Sequence, residues 1–257
     1  MLAAGRDTLG RVGSVLAHRR AHETWACLLA LVTAIVWSAR PVSGAEGTIS
    51  ADFVRIVVAG ASCDTIRGAV YCDTRVSRAV VDVWRPVRQR IIVTDSSAVV
   101  CYPDKARAFR FRGSGYAYLP FLSIFLAGAS RTLGIEQMGF VMDRYQVRAD
   151  TLVTHWRPRE TGRAPVGAAT IAYQGDRLVL MRVVDSQGAV VLEVHCSHHI
   201  PHGDGFYPLQ LAILQYGPTG NTREEVRYSS LRFGLELPQD VAHLRLPPGT
   251  EVEEVEW

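Results

Sequence analysis

Six residues able to bind a metal or move a proton crowd into ten positions: His195, Cys196, His198, His199, His202 and Asp204. Imidazole, thiolate and carboxylate are ligands for zinc or copper. The surrounding residues read as a strand, on which side chains alternate between faces. His195 and His199 then share one face, and Cys196 and His198 take the other. Only part of the set converges unless the bend at Pro201–Gly205 returns His202 or Asp204. The expectation is an exposed, histidine-rich hairpin end, with a metal site as the lesser alternative and no metal ligand assigned.

Nucleophilic chemistry finds no support. Gly113-Ser114-Gly115 lacks the Gly-x-Ser-x-Gly spacing of a nucleophile elbow, and Ser229-Ser230 falls in mid-strand. Asp143, Asp150, Asp185 and Asp204 show no spacing that marks a carboxylate pair. No glycine-rich loop follows a strand and opens a helix. No catalytic residue and no cofactor is therefore expected, and the chain does not read as an enzyme. Arg107, Arg110 and Arg112 make a short basic strip. It reads first as a solvated strand face, and second as a surface for anionic head groups or an acidic partner.

The elements that would carry these residues are nearly all strands. Phe53 to Val58, Arg67 to Asp73, Ala79 to Arg85, Arg90 to Thr94, Ala98 to Tyr102 and Ala108 to Arg112 form a first run. Pro86 closes the third of these, since proline cannot donate to a ladder. A second run covers Phe140–Val147, Thr151–Trp156, Ala168–Tyr173, Arg177–Asp185, Ala189–Ser197, Tyr207–Tyr216 and Glu224–Phe233, with a last candidate at Val241–Leu246. Turn signals recur between them, at Gln174-Gly175-Asp176 and Gly217 to Asn221 for example. This spacing predicts a mainly β fold: one curved antiparallel sheet, as a barrel or sandwich.

Leu119 to Ala129 breaks the pattern. Pro120 suits a first helical turn. Phe121/Phe125 and Leu122/Leu126 stand four apart, and Ile124 widens their stripe. A surface helix should keep a polar face. This one lacks it, so it is either sunk in the core or covers an apolar space.

The N-terminus has the form of a secretory signal. Arg6, Arg11, Arg19 and Arg20 precede an uncharged run from Trp25 to Ala39, and small residues lie before Glu46. The expected division is a signal at 1–45 and one β domain at 46–257, in the periplasm, with an uncleaved inner-membrane anchor as the alternative. Formal net charge is +3, but residues 1–45 hold five arginines and two acids, which leaves 23 basic and 23 acidic residues beyond them. No basic excess invites nucleic acid. Cys63, Cys72, Cys101 and Cys196 remain. In an exported chain they can pair, with Cys63–Cys72 the favoured couple across a hairpin. Buried free thiols are the alternative.

The order of the pieces resembles the periplasmic lipoprotein-carrier superfamily, the LolA/LolB-like and outer-membrane lipoprotein-sorting proteins. The resemblance rests on four stretches. Val81-Asp82-Val83-Trp84-Arg85-Pro86 runs through Gln89 to Val93 and on to Val99-Val100-Cys101-Tyr102-Pro103. Leu119-Pro120-Phe121-Leu122 with Ile124-Phe125-Leu126 is similar to the family's lid helix. Leu178 to Asp185, Gly188 and Val190–Val194 look like its paired strands, and Leu231 to Pro238 like its closing strand. Together they cover most of residues 50–255.

The resemblance implies an incomplete antiparallel barrel whose open side is closed by short helices over an apolar cavity. It implies that the cavity takes the acyl chains of lipoproteins, or related lipids, and moves them towards the outer membrane, with inner- and outer-membrane transport components as partners and a monomeric carrier. An arginine holds lid to barrel in that family. Arg75 matches it best by spacing to Pro86, although Val76 stands where a proline is usual, and Arg78 is a rival. The family's early helix has no room within Glu46–Ser50. The implied ligand-binding set is Arg75, Trp84, Ile92, Phe121, Leu122, Phe125, Leu126, Met138 and Met181. A lipid-sensing or interaction module on the same fold, without transport, is the alternative.

Overall fold

The computed structural model describes residues 47–112, 121, 140–159 and 166–255, except 74, 76, 77, 95, 204, 219, 244 and 245. The expected signal at 1–45 lies outside them. So do Leu122, Phe125, Leu126, Met138 and Asp204.

Among the described residues, fourteen strands form one sheet. They are β1 (Thr48–Ala59), β2 (Ser62–Asp73), β3 (Arg78–Arg85), β4 (Gln89–Val93), β5 (Ser97–Tyr102), β6 (Arg107–Arg112), β7 (Phe140–Arg148), β8 (Thr151–Pro158), β9 (Val166–Gln174), β10 (Arg177–Asp185), β11 (Val190–His202), β12 (Gly205–Gly217), β13 (Gly220–Phe233) and β14 (Glu251–Val255). The order across the sheet is β14-β6-β5-β4-β3-β2-β1-β13-β12-β11-β10-β9-β8-β7. The sheet is curved and not closed into a barrel. Two meanders thus share a seam at β1 and β13. The chain steps outward from β1 to β6, passes to the opposite edge at β7, and steps back to β13.

Tight turns set the register. Ala59 faces Ser62 across Gly60-Ala61, and Gln174 faces Arg177 across Gly175-Asp176. Gly60 and Gly175 have φ of 59° and 58°, the left-handed conformation that a two-residue hairpin turn demands.

Alternation along the strands builds two cores, one on each face. The larger holds Phe53, Val70, Cys72, Val81, Ile171, Leu178, Met181, Val194, Cys196, Tyr207, Leu211, Val226 and Tyr228. The smaller gathers Val80, Ile92, Val99, Cys101 and Ala108 under Val241. Val241 belongs to a four-residue helix, Gln239–Ala242, where the sequence suggests a strand. Arg90 fastens that helix. Its guanidinium grips Asp82 at 2.6 and 2.7 Å and Asp240 at 2.7 Å.

β14 is a strand the sequence does not announce. Its Glu-Val-Glu-Glu-Val is exposed over its first four residues, and it runs parallel to β6. Its acids meet the basic strip. Arg107 pairs with Glu253 at 3.2 Å, Arg110 with Glu254 at 2.8 Å, and Arg112 with Glu254 at 3.7 Å. The acidic partner of that strip is this chain's own C-terminal strand.

Candidate functional site

Phe121 is the described residue of the apolar segment between β6 and β7. Its conformation is helical and its side chain is buried in the larger core. It sits over the β1/β13 seam and is held in three ways. The Phe53 ring lies 5.4 Å away, centroid to centroid, at 40°. The Arg55 guanidinium stands 5.1 Å from the Phe121 ring centroid, within range of a cation–π interaction. Tyr228 Oη donates to the Phe121 carbonyl at 2.9 Å.

The sequence explains why these groups converge. Phe53 and Arg55 are two apart on β1 and so face the same way. Phe53 lies directly opposite Tyr228, and Arg55 opposite Val226. Gly68 on β2 faces Phe53 from the other side. A Cβ there would come within 2.9 Å of the Phe53 ring and 2.2 Å of the Asp82 carbonyl oxygen. Glycine is what lets the ring approach β2 so closely.

Arg55 is not a bare charge in this core. Its Nε and Nη2 donate to the two oxygens of Glu224, both at 2.9 Å. The Glu224 side chain is almost fully buried. A fork-to-fork pair fixes the guanidinium plane as well as its position. Burial raises the Tyr228 phenol well above its ordinary pKa, so it stays a donor. The arrangement can clamp an aromatic side chain and a backbone carbonyl to the sheet, and it leaves the flanking core apolar.

The other site residues scatter. Met181 joins Phe121 in the larger core. Ile92 lies in the smaller core, on the opposite face of the sheet. Trp84 is the extra residue of a bulge, where Arg67 faces Arg85 and Gly68 faces Val83, and it is 53% exposed. Arg75 has a 68% exposed side chain and binds Asp73 through Nε and Nη2, both at 3.0 Å. Arg55, Glu224 and Tyr228 were not singled out from the sequence. One signal was available: Arg55 breaks the run Phe53-Val54-Arg55-Ile56-Val57-Val58 on the parity of Phe53, the inward face.

The histidines do not converge. His195 Nε2 bonds Glu193 at 2.7 Å, and His198 Nδ1 bonds the Ser197 hydroxyl. His199 Nε2 donates to the Leu178 carbonyl at 2.7 Å. His202 stacks on Phe233, centroids 3.6 Å apart. Burial lowers the His199 pKa, which keeps that ring neutral. Among the described residues no group of three or more metal-binding side chains is assembled.

The favoured disulfide is corrected. Cys63 and Cys72 both belong to β2, and nothing turns between them. Nine residues of strand separate their Cα atoms by about 30 Å, far beyond the ~7 Å limit of a disulfide. All four described cysteines are free thiols. Cys72, Cys101 and Cys196 are buried as small hydrophobes, and burial pushes the Cys196 thiol up to about 12.

No family model matches the chain. No curated protein matches it either. Solved structures do. A DUF1329 family protein from Desulfovibrio piger superposes with a TM-score of 0.54 at 11% identity, over 86% of this chain and 96% of that one. A putative outer membrane lipoprotein-sorting protein domain from Vibrio parahaemolyticus gives 0.53 at 13%, over 77% and 90%. A LolA superfamily protein from Nitrosomonas europaea gives 0.51 at 12%, over 84% and 96%. The chain has a LolA-like fold.

Proposed function

We propose that this chain binds the acyl chains of lipoproteins or related lipids against the larger apolar face of its sheet, and carries them through the periplasm towards the outer membrane. The observation that supports this most is topological. The connection from β6 to β7 joins opposite sides of an unclosed sheet, and within it Phe121 is clamped on the central seam. A segment packed against an apolar face can exchange with a ligand for the same surface.

The energetics suit such an exchange. Burying one large apolar side chain is worth about 1.5–3 kcal/mol, and one ligand CH₂ about 0.8 kcal/mol. A few side chains and a few methylenes therefore balance. In this reading Phe121, Leu122, Phe125 and Leu126 are the segment's apolar contacts, and Met138 and Met181 line the face. Trp84 and Ile92 lie away from it. The arginine that meets the segment is Arg55, in place of Arg75. Export by residues 1–45 belongs to the same reading. Among the described residues no helix is long and apolar enough to cross a membrane.

Release of a lipoprotein from inner-membrane vesicles tests the carrier role. Addition of the protein should move a triacylated lipoprotein into the supernatant. Retention on the vesicles, with lipid binding intact, would leave a binding or sensing module instead.

A further inference from the structure

One row of side chains crosses the larger face from the edge of the sheet into the core. Val147 on β7 faces Leu152 on β8, Leu152 faces Tyr173 on β9, and Tyr173 faces Leu178 on β10. Residues directly opposite in a ladder point to the same face. Their exposures fall in order: 66%, 36%, 9% and 1%. Tyr145, two residues before Val147, adds a second exposed apolar side chain at the outer end. The row is an apolar ramp that starts in solvent and ends in the core.

The Tyr173 hydroxyl sits near the inner end of this ramp. Its Oη is buried and has no hydrogen-bond partner among the described residues. Leu178 faces Tyr173 across the ladder, and Ile171, Met181 and Cys196 belong to the same core. A buried donor without an acceptor is costly, and native structures rarely keep one without a use. Burial raises the phenol far above its ordinary pKa, so the group is an O–H donor at every physiological pH.

We propose that Tyr173 Oη is the polar anchor of the lipid site, donating to the carbonyl of an acyl ester or amide whose alkyl chain lies in the larger core. The inference rests on the acyl-binding reading above and adds its selectivity. An alkyl chain supplies apolar contact along the row. Its first carbonyl supplies the acceptor that the protein lacks. A hydrocarbon or an alkyl ether of equal length would leave the donor without a carbonyl.

The test compares the delipidated wild-type protein with Tyr173→Phe, using dipalmitoylglycerol and its dihexadecyl ether analogue as probes in competition with a fluorescent acyl reporter. The wild type should prefer the ester. Tyr173→Phe should weaken ester binding by about five- to tenfold, the worth of one buried hydrogen bond, and leave ether binding unchanged. The thermal midpoint of the lipid-free variant should equal or exceed that of the wild type, because an orphaned hydroxyl has been removed. Equal losses for both probes, or no loss for either, would overturn the anchor while keeping the acyl site. A lipid-free variant less stable than wild type would overturn it too, since the hydroxyl would then be satisfied within the protein. Failure of the wild type to bind either probe would overturn the acyl-binding reading itself, and the anchor with it.

Discussion

Arg55 stands with its guanidinium 5.1 Å from the centroid of the Phe121 ring while both its Nε and Nη2 are held by Glu224 at 2.9 Å. The charge that touches the crossing segment is therefore fixed by a buried carboxylate on β13. Removal of either partner leaves the other unpaired in an apolar core. Breaking a buried pair costs about 3–5 kcal/mol, whereas replacing both partners by apolar groups is often near neutral. Arg55→Met and Glu224→Met should each lower the urea midpoint strongly, and the double variant should recover most of the loss. Strictly additive losses in the double-mutant cycle would show that the two do not act as a pair.

Tyr228→Phe isolates the contact with the segment's backbone. It deletes the donor to the Phe121 carbonyl and changes little volume. A loss of about 1–3 kcal/mol is expected from the stranded carbonyl, read by chemical denaturation. Hydrogen exchange should also quicken at residues next to Phe121 and stay unchanged in β9 to β11. Uniform quickening across the sheet would mean that the bond supports the fold at large.

Gly68 gives a steric prediction. A methyl group there meets the Asp82 carbonyl and the Phe53 ring at sub-van der Waals distances. Gly68→Ala should cost about 1–3 kcal/mol, as overpacking does, and should disturb Phe53 and through it Phe121. Near-UV circular dichroism, which reports the aromatic packing, should change with stability.

Much of this was legible in the sequence, and the reasons for the rest are physical. Strand existence followed from alternation and turn residues, so β3, β5 and β10 fall within a residue of their expected bounds. Strand length did not. β2 begins at Ser62 rather than Arg67, because pairing with β1 overrides the polar stretch Cys63-Asp64-Thr65. That extension also puts Cys63 and Cys72 on one strand. β14 was invisible, because a five-residue acidic strand has no periodicity of its own and forms only against the arginines of β6. In the site, Phe121 and Met181 were legible as apolar residues and do share a core. The clamp was not, since an Arg–Glu pair joins residues 169 apart in sequence. Parity puts Ile92 on the other face: Val80 stands opposite it across the β3/β4 pairing, on the side away from Val81.

Acid should loosen the fold in a defined window. Asp73 has its pKa lowered, chiefly by the hydrogen bonds from Arg75. A carboxylate held below its unfolded value of 3.8 contributes stability above that pH, and the contribution is lost as pH falls through the lowered value. Arg75→Gln should therefore reduce stability at neutral pH and converge on the wild type as pH falls through the lowered value. Urea midpoints measured from neutrality down to acid check this. A constant gap across the range would assign Arg75 a packing role only.

The β14–β6 contact should respond to salt. Its ion pairs are half-exposed or more, so each is worth little and is screened. Amide exchange in Glu251–Val255 should quicken between dilute buffer and about 1 M salt, where the Debye length is about 3 Å. Deleting residues 251–257 would bare the β6 edge and should promote association, as unpaired edges do. A monodisperse truncated protein would show that the edge is protected otherwise.

Acyl chains on the larger face of the sheet should be visible in the protein as isolated. Native mass spectrometry of the protein purified from a bacterial periplasm, without a delipidation step, tests it most directly. The spectrum should show an added mass that fragments to fatty-acyl species and is depleted in Phe121→Asp. A wild-type protein that carries no acyl adduct, and takes none up when mixed with lipoprotein or diacyl lipid, would contradict it.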